Sequence, residues 1–234
     1  MLTSRDQRIY KAYTTLHEML CDRGFSLQCI DEEDERKIVH HIRSNPFLMV
    51  FSQPYPLVVF AYCGSEKLRI GSLRQYMDRM DEMSKSGEEE DGEDPIIYDR
   101  AIILVESGIT PFVKNANLEA MVHERSEIPR SFELFSADEW IVNPTRHEYY
   151  KHAKSIPCDA DEVRRVVKDF CNPALTDEQE ISEADLKKLP RLLKTDKMVR
   201  YFGLNVGDVM RVETNLSGNN PDVRWKVVVP PEDK

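Results

Sequence analysis

The stretch from residue 189 to 229 constrains the fold more tightly than any other part of the chain. It begins with Leu189-Pro190-Arg191 and continues through a short helical piece to Tyr201-Phe202-Gly203. Two strand-like runs follow, at 209–214 and 223–229. The polar segment between them, 215–222, is typical of a turn. Because apolar patterning and turn chemistry agree along its length, this stretch predicts a small module rich in β-structure.

The charge of the chain is unevenly distributed. The net charge is −10, but residues 186–234 hold ten Lys and Arg against six Asp and Glu, a balance of +4. The remaining residues therefore carry −14. Affinity for a nucleic-acid backbone comes mainly from Lys and Arg that displace counterions. An acidic chain is not expected to bind nucleic acid over a large surface. Any such contact is expected to be local or assisted by other proteins.

Length and composition indicate a globular protein outside the membrane. A chain of 234 residues suits one large domain or two small ones. No apolar run reaches the 18 or so residues that span a bilayer, and the N-terminus lacks an apolar signal region. The five cysteines never occur in CxxC spacing, which favours reduced thiols in the cytosol or nucleus and makes a zinc site unexpected.

The first part of the chain alternates predicted helices with buried strands. Helices are predicted at 5–23, with Ser4 or Asp6 as N-cap, and at 71–83. Strands are predicted at 46–52, 57–64 and 100–106, with a further one near the end of 132–142. Beyond this part, a short helix is predicted at 159–170 with Phe170 facing inward. The predicted class is α+β: an α/β domain with helices around a small sheet at 1–143, then a small mixed α/β module at 144–234. Two acidic segments should lie at the surface, an insertion near 86–95 and a Pro-broken connector near 171–185.

A strand, a turn and a helix follow one another at residues 100–123. The apolar strand at 100–106 runs into Ser107-Gly108-Ile109-Thr110-Pro111, and a helix is predicted at 112–123. Thr110 is placed to act as N-cap and Pro111 as the first helical residue. The first-turn amides could meet a phosphate, with Lys114 close to them. By itself this pattern is common among α/β proteins.

Sequence motifs of catalysis are absent. The chain has no GxxxxGK[ST], GxGxxG or GxSxG motif, and its strands carry no carboxylate-x-Lys triplet of the kind that holds Mg²⁺ in nucleases. The adjacent pair His40-His41 cannot share one ion on a helix, and His123, His147 and His152 have no nucleophile at a suggestive spacing. We therefore expect no catalytic residue, metal or cofactor. A remnant nuclease is the enzymatic alternative, and it would need a metal-binding carboxylate.

The C-terminal stretch resembles a known family. It is similar to the C-terminal module of the fifth common subunit of the eukaryotic nuclear RNA polymerases, a family that also has an archaeal counterpart. The matching residues are Leu189-Pro190-Arg191, Asp196, Val199-Arg200-Tyr201-Phe202-Gly203, Gly207-Asp208-Val209, Ser217-Gly218 and Trp225-Lys226. Upstream, residues 12–25, 68–80 and 100–121 resemble further family segments in the same order, so the resemblance covers nearly the whole chain.

This resemblance implies a non-catalytic structural subunit of a nuclear DNA-directed RNA polymerase. The N-terminal domain would form part of the jaw around downstream duplex DNA, and the C-terminal domain would dock on the largest subunit. The DNA-proximal point of the family is the turn that here contains Gly108, Thr110 and Pro111, with Lys114 as a plausible neighbour. A free-standing adaptor of the same fold, using its acidic segments to bind basic partners, is the alternative function.

The resemblance also suggests which residues contact other subunits. Arg191 and Arg200 are expected at the surface and are the better interface candidates. For Tyr201 and Phe202, packing of the module is favoured over direct contact with another subunit, and both roles stay open. The family's proline after Asp196 is replaced by Lys197, and the usually basic spacer before Gly207 is Asn205-Val206. These departures are compatible with a divergent or polymerase-class-specific member, and the sequence does not decide the class.

Overall fold

The computed structural model describes the chain in segments and divides it into two compact units. The described residues are 3–25, 35–44, 47–50, 57–64, 67–85, 98–106, 108–114, 131–215 and 222–231. Unit 1 is Met1–Val142 and unit 2 is Asn143–Lys234. The predicted acidic insertion at 86–95, most of the predicted helix at 112–123 and most of the turn at 215–222 lie outside the described residues.

Unit 1 combines helices with a four-stranded sheet. The elements in chain order are α1 (Ser4–Asp22), α2 (Glu35–Ser44), β1 (Phe47–Val50), β2 (Leu57–Cys63), α3 (Ile70–Lys85), β3 (Tyr98–Val105), α4 (Pro111–Lys114) and β4 (Ser131–Ser136). The strand order is β1-β2-β3-β4, with β1 antiparallel to β2 and the other pairs parallel. The helices predicted at 5–23 and 71–83 and the three predicted strands are confirmed.

Strand β3 lies at the centre of unit 1. Ile103 is opposite Ala61 on β2 and Leu134 on β4, and residues 101–105 are completely buried. Such burial on both faces explains the near-continuous apolar sequence of the strand. On one face, Leu73, Met77 and Met80 of α3 pack in the same cluster as Ala101, Ile103 and Val105.

Two local predictions in unit 1 are wrong. Helix α1 is capped by Thr3, not by Ser4 or Asp6, because Thr3 and Asp6 satisfy each other's backbone amides in a capping box. The strand predicted near the end of 132–142 occupies the beginning, Ser131–Ser136, and a 3₁₀ turn follows at Ala137–Glu139. That turn places Trp140 edge-on against Phe135, with ring centroids 4.9 Å apart.

A buried ion triad joins α1 to the sheet. Both oxygens of the Glu133 carboxylate accept hydrogen bonds from the Arg23 guanidinium, at 2.9 and 2.8 Å, and Arg100 pairs with the same carboxylate. The side chain of Arg23 is only 4% exposed. Burial works to raise the pKa of the Glu133 carboxyl, but the two arginines outweigh it and hold the pKa below its ordinary value.

Unit 2 is a second four-stranded sheet with a helix on each face. Its elements are β5 (Ala153–Pro157), α5 (Ala160–Phe170), α6 (Glu183–Leu186), β6 (Arg191–Leu193), α7 (Lys197–Phe202), β7 (Val209–Thr214) and β8 (Asp222–Val229), with a 3₁₀ turn at Glu148–Lys151. The strand order is β5-β7-β8-β6, and only β6 pairs in parallel. Val166 of α5 packs in a cluster with Val209 and Val227, whereas Val199 of α7 packs with Met210 and Val228.

The structure corrects two details of unit 2. Residues 191–193 form strand β6 before the predicted helical piece, which begins only at Lys197 with Asp196 as its N-cap. Phe170, predicted to face inward, is 67% exposed. Its ring stacks on that of Trp225 on β8, with centroids 5.4 Å apart. In the described ranges, no helix has the length and apolarity needed to cross a membrane.

The acidic connector at 171–185 is tied to its surroundings. Arg164 donates hydrogen bonds to the carbonyl oxygens of Thr176 and Gln179, both at 3.0 Å. At its end, the Asp185 carboxylate accepts from Ser182, Asn172 and Lys188. Hydrogen bonds from Lys188, Ser182 and Asn172 lower the pKa of Asp185 to about 2. The connector therefore uses part of its polar surface within the unit.

Candidate nucleic-acid and subunit interfaces

The turn after β3 is fastened to the segment between β2 and α3. Leu68 and Ile109 form an isolated parallel bridge. The amide of Leu68 donates to the carbonyl of Gly108 at 3.2 Å, and the amide of Thr110 donates to the carbonyl of Leu68 at 3.3 Å. Gly108 has a φ of +96°, a left-handed conformation that favours glycine. Backbone hydrogen bonds on both sides of Ile109 thus fix the path of the turn.

Thr110 holds the turn with its side chain as well. Its hydroxyl donates to the carbonyl oxygen of Leu68 at 3.1 Å, a contact that the sequence did not predict. Helix α4 begins at Pro111, as predicted, and the amide of Val113 donates to the carbonyl of Thr110 at 3.0 Å. Pro111 is exposed, whereas Val113 is buried in the cluster that Ile109 also contacts. Pro111 is therefore exposed to solvent, while Ile109 and Val113 on either side of it pack on the apolar core.

The carboxylate next to this turn is neutralised inside the unit. Glu106 directly follows β3, and its carboxylate pairs with Arg5 and accepts a hydrogen bond from the Tyr62 hydroxyl. Burial works to raise the pKa of Glu106, but hydrogen bonds from Arg5 and Tyr62 outweigh it and lower the pKa. Burial, together with Glu106, raises the pKa of Tyr62. Glu106 is therefore an ionised structural partner of Arg5.

Two exposed cations beside the turn were missed by the sequence reasoning. Lys67 and Arg69 flank Leu68, and both are exposed while Leu68 is completely buried. The alternation Lys-Leu-Arg-Ile at 67–70, which ends at the first residue of α3, was the available signal. A period of two indicates an extended segment with one buried face. The predicted neighbour Lys114 belongs to α4, but its side chain lies outside the described residues.

The residues predicted for subunit contact lie in unit 2. Arg191 is exposed on the edge strand β6, and Arg200 is half-buried on α7. Tyr201 is completely buried, and its hydroxyl accepts a hydrogen bond from the Asn143 side-chain amide at 3.2 Å. Phe202 is half-buried against the cluster of Val199, Met210 and Val228, and its ring meets that of Tyr201 edge-on. Burial favours packing over direct contact with a partner for Tyr201.

The described residues offer no metal centre. Within them, no group of three or more His, Cys, Asp and Glu is arranged to hold a metal ion. The imidazole of His147 accepts from the amide of Tyr149 at 3.2 Å and so caps a 3₁₀ turn. Cys158 is half-buried, and burial raises the pKa of its thiol to about 12, which leaves it protonated and unreactive.

Comparison with known proteins gives two matches. The family model described as RNA polymerase Rpb5, C-terminal domain, matches residues 142–228, which nearly coincide with unit 2. A Dictyostelium discoideum protein described as "DNA-directed RNA polymerases I, II, and III subunit rpabc1" is 23% identical over 206 residues. That match covers 88% of this chain and 89% of the relative. It therefore extends the similarity over both units.

Proposed function

We propose that the chain is a member of the family of the fifth subunit of DNA-directed RNA polymerases and a non-catalytic component of that enzyme. In this role it forms part of the downstream-DNA jaw and docks on the largest subunit. The observation that carries this proposal is the match of one family model to residues 142–228, almost the whole of unit 2. On this proposal, unit 2 supports assembly and unit 1 meets the DNA, and the protein acts in the nucleus.

The docking role rests on the surface of unit 2. Arg191 lies on β6 at the edge of the sheet, and none of the other strands that the structure describes pairs with the outer row of its backbone groups. Its side chain is exposed, so contact with a partner requires no rearrangement of the core. Arg200 on α7 is the second candidate. Phe202 contributes by packing α7 against the sheet, and Tyr201 by meeting Phe202 edge-on and by its hydrogen bond with Asn143.

The DNA-proximal role rests on the turn of Gly108, Thr110 and Pro111. The turn is anchored by three hydrogen bonds to Leu68, so Pro111 projects from a fixed base. The acidic balance of the chain opposes a large DNA interface. We therefore assign unit 1 a local contact with the backbone of duplex DNA, while the other subunits hold the duplex.

Affinity purification tests the assembly claim. The tagged full-length chain is expressed in its own cells and purified at moderate salt, and the eluate is assayed for templated RNA synthesis and for size by gel filtration. We expect the chain to elute with the catalytic subunits and the activity. A chain that elutes alone and loses all polymerase activity at moderate salt would instead support the free-standing adaptor.

A further inference from the structure

We propose that Lys67 and Arg69 contact adjacent phosphates of duplex DNA. Together with the turn of Gly108, Thr110 and Pro111, they would form a DNA contact site built from two segments of the chain. The inference rests on the proposed function, because it takes unit 1 to lie beside DNA. It adds a second segment, Lys67-Leu68-Arg69, to a site otherwise formed by one turn.

Backbone hydrogen bonds fix this segment against the turn. Leu68 donates to Gly108 at 3.2 Å and accepts from Thr110, through the amide at 3.3 Å and through the hydroxyl at 3.1 Å. Leu68 is completely buried, so the residues on either side of it project away from the core. Whatever meets Pro111 from solvent therefore also lies within reach of the two cationic side chains.

The spacing of the two cations suits a phosphate backbone. Residues two apart on an extended segment are about 6.6 Å apart along the chain, and their side chains lie on one face. Duplex DNA carries a charge about every 3.4 Å of axis on each strand, and long basic side chains span the difference. Arg adds a planar guanidinium that can donate two hydrogen bonds to a single phosphate.

Within the described part of unit 1, the carboxylate that follows β3 does not oppose an anion at this place. Glu106 is buried and paired with Arg5, so its charge is neutralised inside the unit. Among the described ion pairs, none involves Lys67 or Arg69. Lys67 and Arg69 therefore add two exposed positive charges beside the turn. An acidic protein segment is the competing partner, and the test separates it from DNA.

The test uses polymerase purified through the tagged chain and a duplex with a defined downstream arm. The variant is Lys67→Ala with Arg69→Ala, and the matched control is Lys11→Ala with Lys37→Ala, which removes two exposed lysines from α1 and α2 of the same unit. The binding constant for the duplex is measured from about 0.05 to 0.3 M salt, and retention of the chain in the polymerase is measured in parallel.

We expect the Lys67/Arg69 variant to bind about three- to tenfold more weakly at low salt. The slope of log K against log salt should become shallower by up to about 1.8, or about 0.9 for each lost phosphate contact. The control variant should keep the wild-type slope. An unchanged slope in the Lys67/Arg69 variant would overturn the proposal.

Three other outcomes show which claim is wrong. If the Lys67/Arg69 variant leaves the polymerase more readily while the DNA slope is unchanged, the pair binds an acidic protein segment and the proposal fails. If a photo-cross-linker at Pro111 labels DNA while the slope is unchanged, the jaw function stands and only the role of this pair is refuted. If the wild-type chain does not purify with polymerase at all, the proposed function fails first.

Discussion

The carbonyl oxygen of Leu68 accepts hydrogen bonds from both the amide and the hydroxyl of Thr110, at 3.3 and 3.1 Å. Through this double contact, the segment before α3 fixes the turn after β3, although the two residues are 42 positions apart. The turn proposed to face DNA therefore has a position set by tertiary structure. This arrangement makes the Thr110 hydroxyl a direct target for mutation.

We expect Thr110→Val to destabilise the full-length chain by about 1 kcal/mol, because it removes one hydrogen bond at nearly constant shape. Thr110→Ser retains the hydroxyl and is the matched control, with a smaller expected loss. Urea unfolding of both variants provides the measurement. Equal destabilisation of the two variants would mean that the hydroxyl contributes nothing through Leu68.

Gly108→Ala tests the backbone of the same turn. A Cβ at Gly108 would meet no atom within 4 Å, so the cost should come from the φ of +96° alone. We expect a loss of about 1–2 kcal/mol in the free energy of unfolding. The control is Gly71→Ala in α3, where the φ is ordinary and a Cβ also meets nothing. A stabilising effect at Gly108 would show that the turn is not left-handed.

The buried triad predicts a large effect from a small change. Glu133→Gln leaves Arg23, whose side chain is 4% exposed, without its anionic partner. We expect a loss of about 3–5 kcal/mol in the free energy of unfolding, as for other buried ion pairs that lose one member.

The matched control for the triad is Asp138→Asn, which breaks the exposed pair with Arg8. There the two side chains are 59% and 50% exposed, and the expected change is below about 1 kcal/mol. Chemical denaturation of the full-length chain compares the two variants. Similar losses in both would contradict the buried position of the triad.

Asp185 should make the stability of the chain depend on acid. Hydrogen bonds from Lys188, Ser182 and Asn172 lower its pKa from 3.8 to about 2. A lowered folded-state pKa stabilises the fold above the unfolded value, and this contribution is lost as the pH falls from about 4 through 2. The difference in unfolding free energy between wild type and Asp185→Asn should therefore be constant near neutral pH and should shrink over that window.

The control for this pH experiment is Asp177→Asn, whose carboxylate is 85% exposed and 3.7 Å from Lys168. Its difference from wild type should be small at every pH. If the Asp185→Asn difference keeps its full size down to pH 2, the carboxylate does not hold these three partners in solution.

Arg191 and Tyr201 should separate assembly from folding. Arg191→Glu reverses an exposed charge, so we expect several-fold weaker recovery of polymerase with the unfolding free energy unchanged within about 0.5 kcal/mol. Tyr201→Ala empties a completely buried site and should cost about 3–5 kcal/mol. Lys187→Glu, on an exposed residue of the same unit, is the charge control. Unaltered recovery of polymerase with Arg191→Glu would remove this residue from the interface.

The sequence predicted those parts of the fold that follow from local patterning. Strand β3 was predictable because burial on both faces requires a nearly continuous apolar run. The paired strands β7 and β8 were predictable because a polar turn separates two apolar runs. Phe170 was misplaced because its position on an amphipathic helix does not reveal that it packs sideways on Trp225.

The candidate site was predictable only in part. Gly108 and Pro111 were found from the chemistry of the turn and from family resemblance. The contribution of Leu68, and with it the position of Lys67 and Arg69, depends on a bridge to Ile109 that joins two distant segments. Patterning within a single segment carries no information about such a pairing. The hydrogen bond that the Tyr201 hydroxyl accepts likewise comes from Asn143, 58 positions away.

The most direct test of the central claim is the stoichiometry of this chain in purified polymerase. Each nuclear polymerase class is isolated through its own largest subunit, and quantitative mass spectrometry counts the copies of this chain per largest subunit. We predict one copy per complex in at least one class. One copy in all three classes would identify a shared subunit, and one copy in a single class a class-specific one. Absence from all three classes, with the chain present in the same cells, would contradict the account.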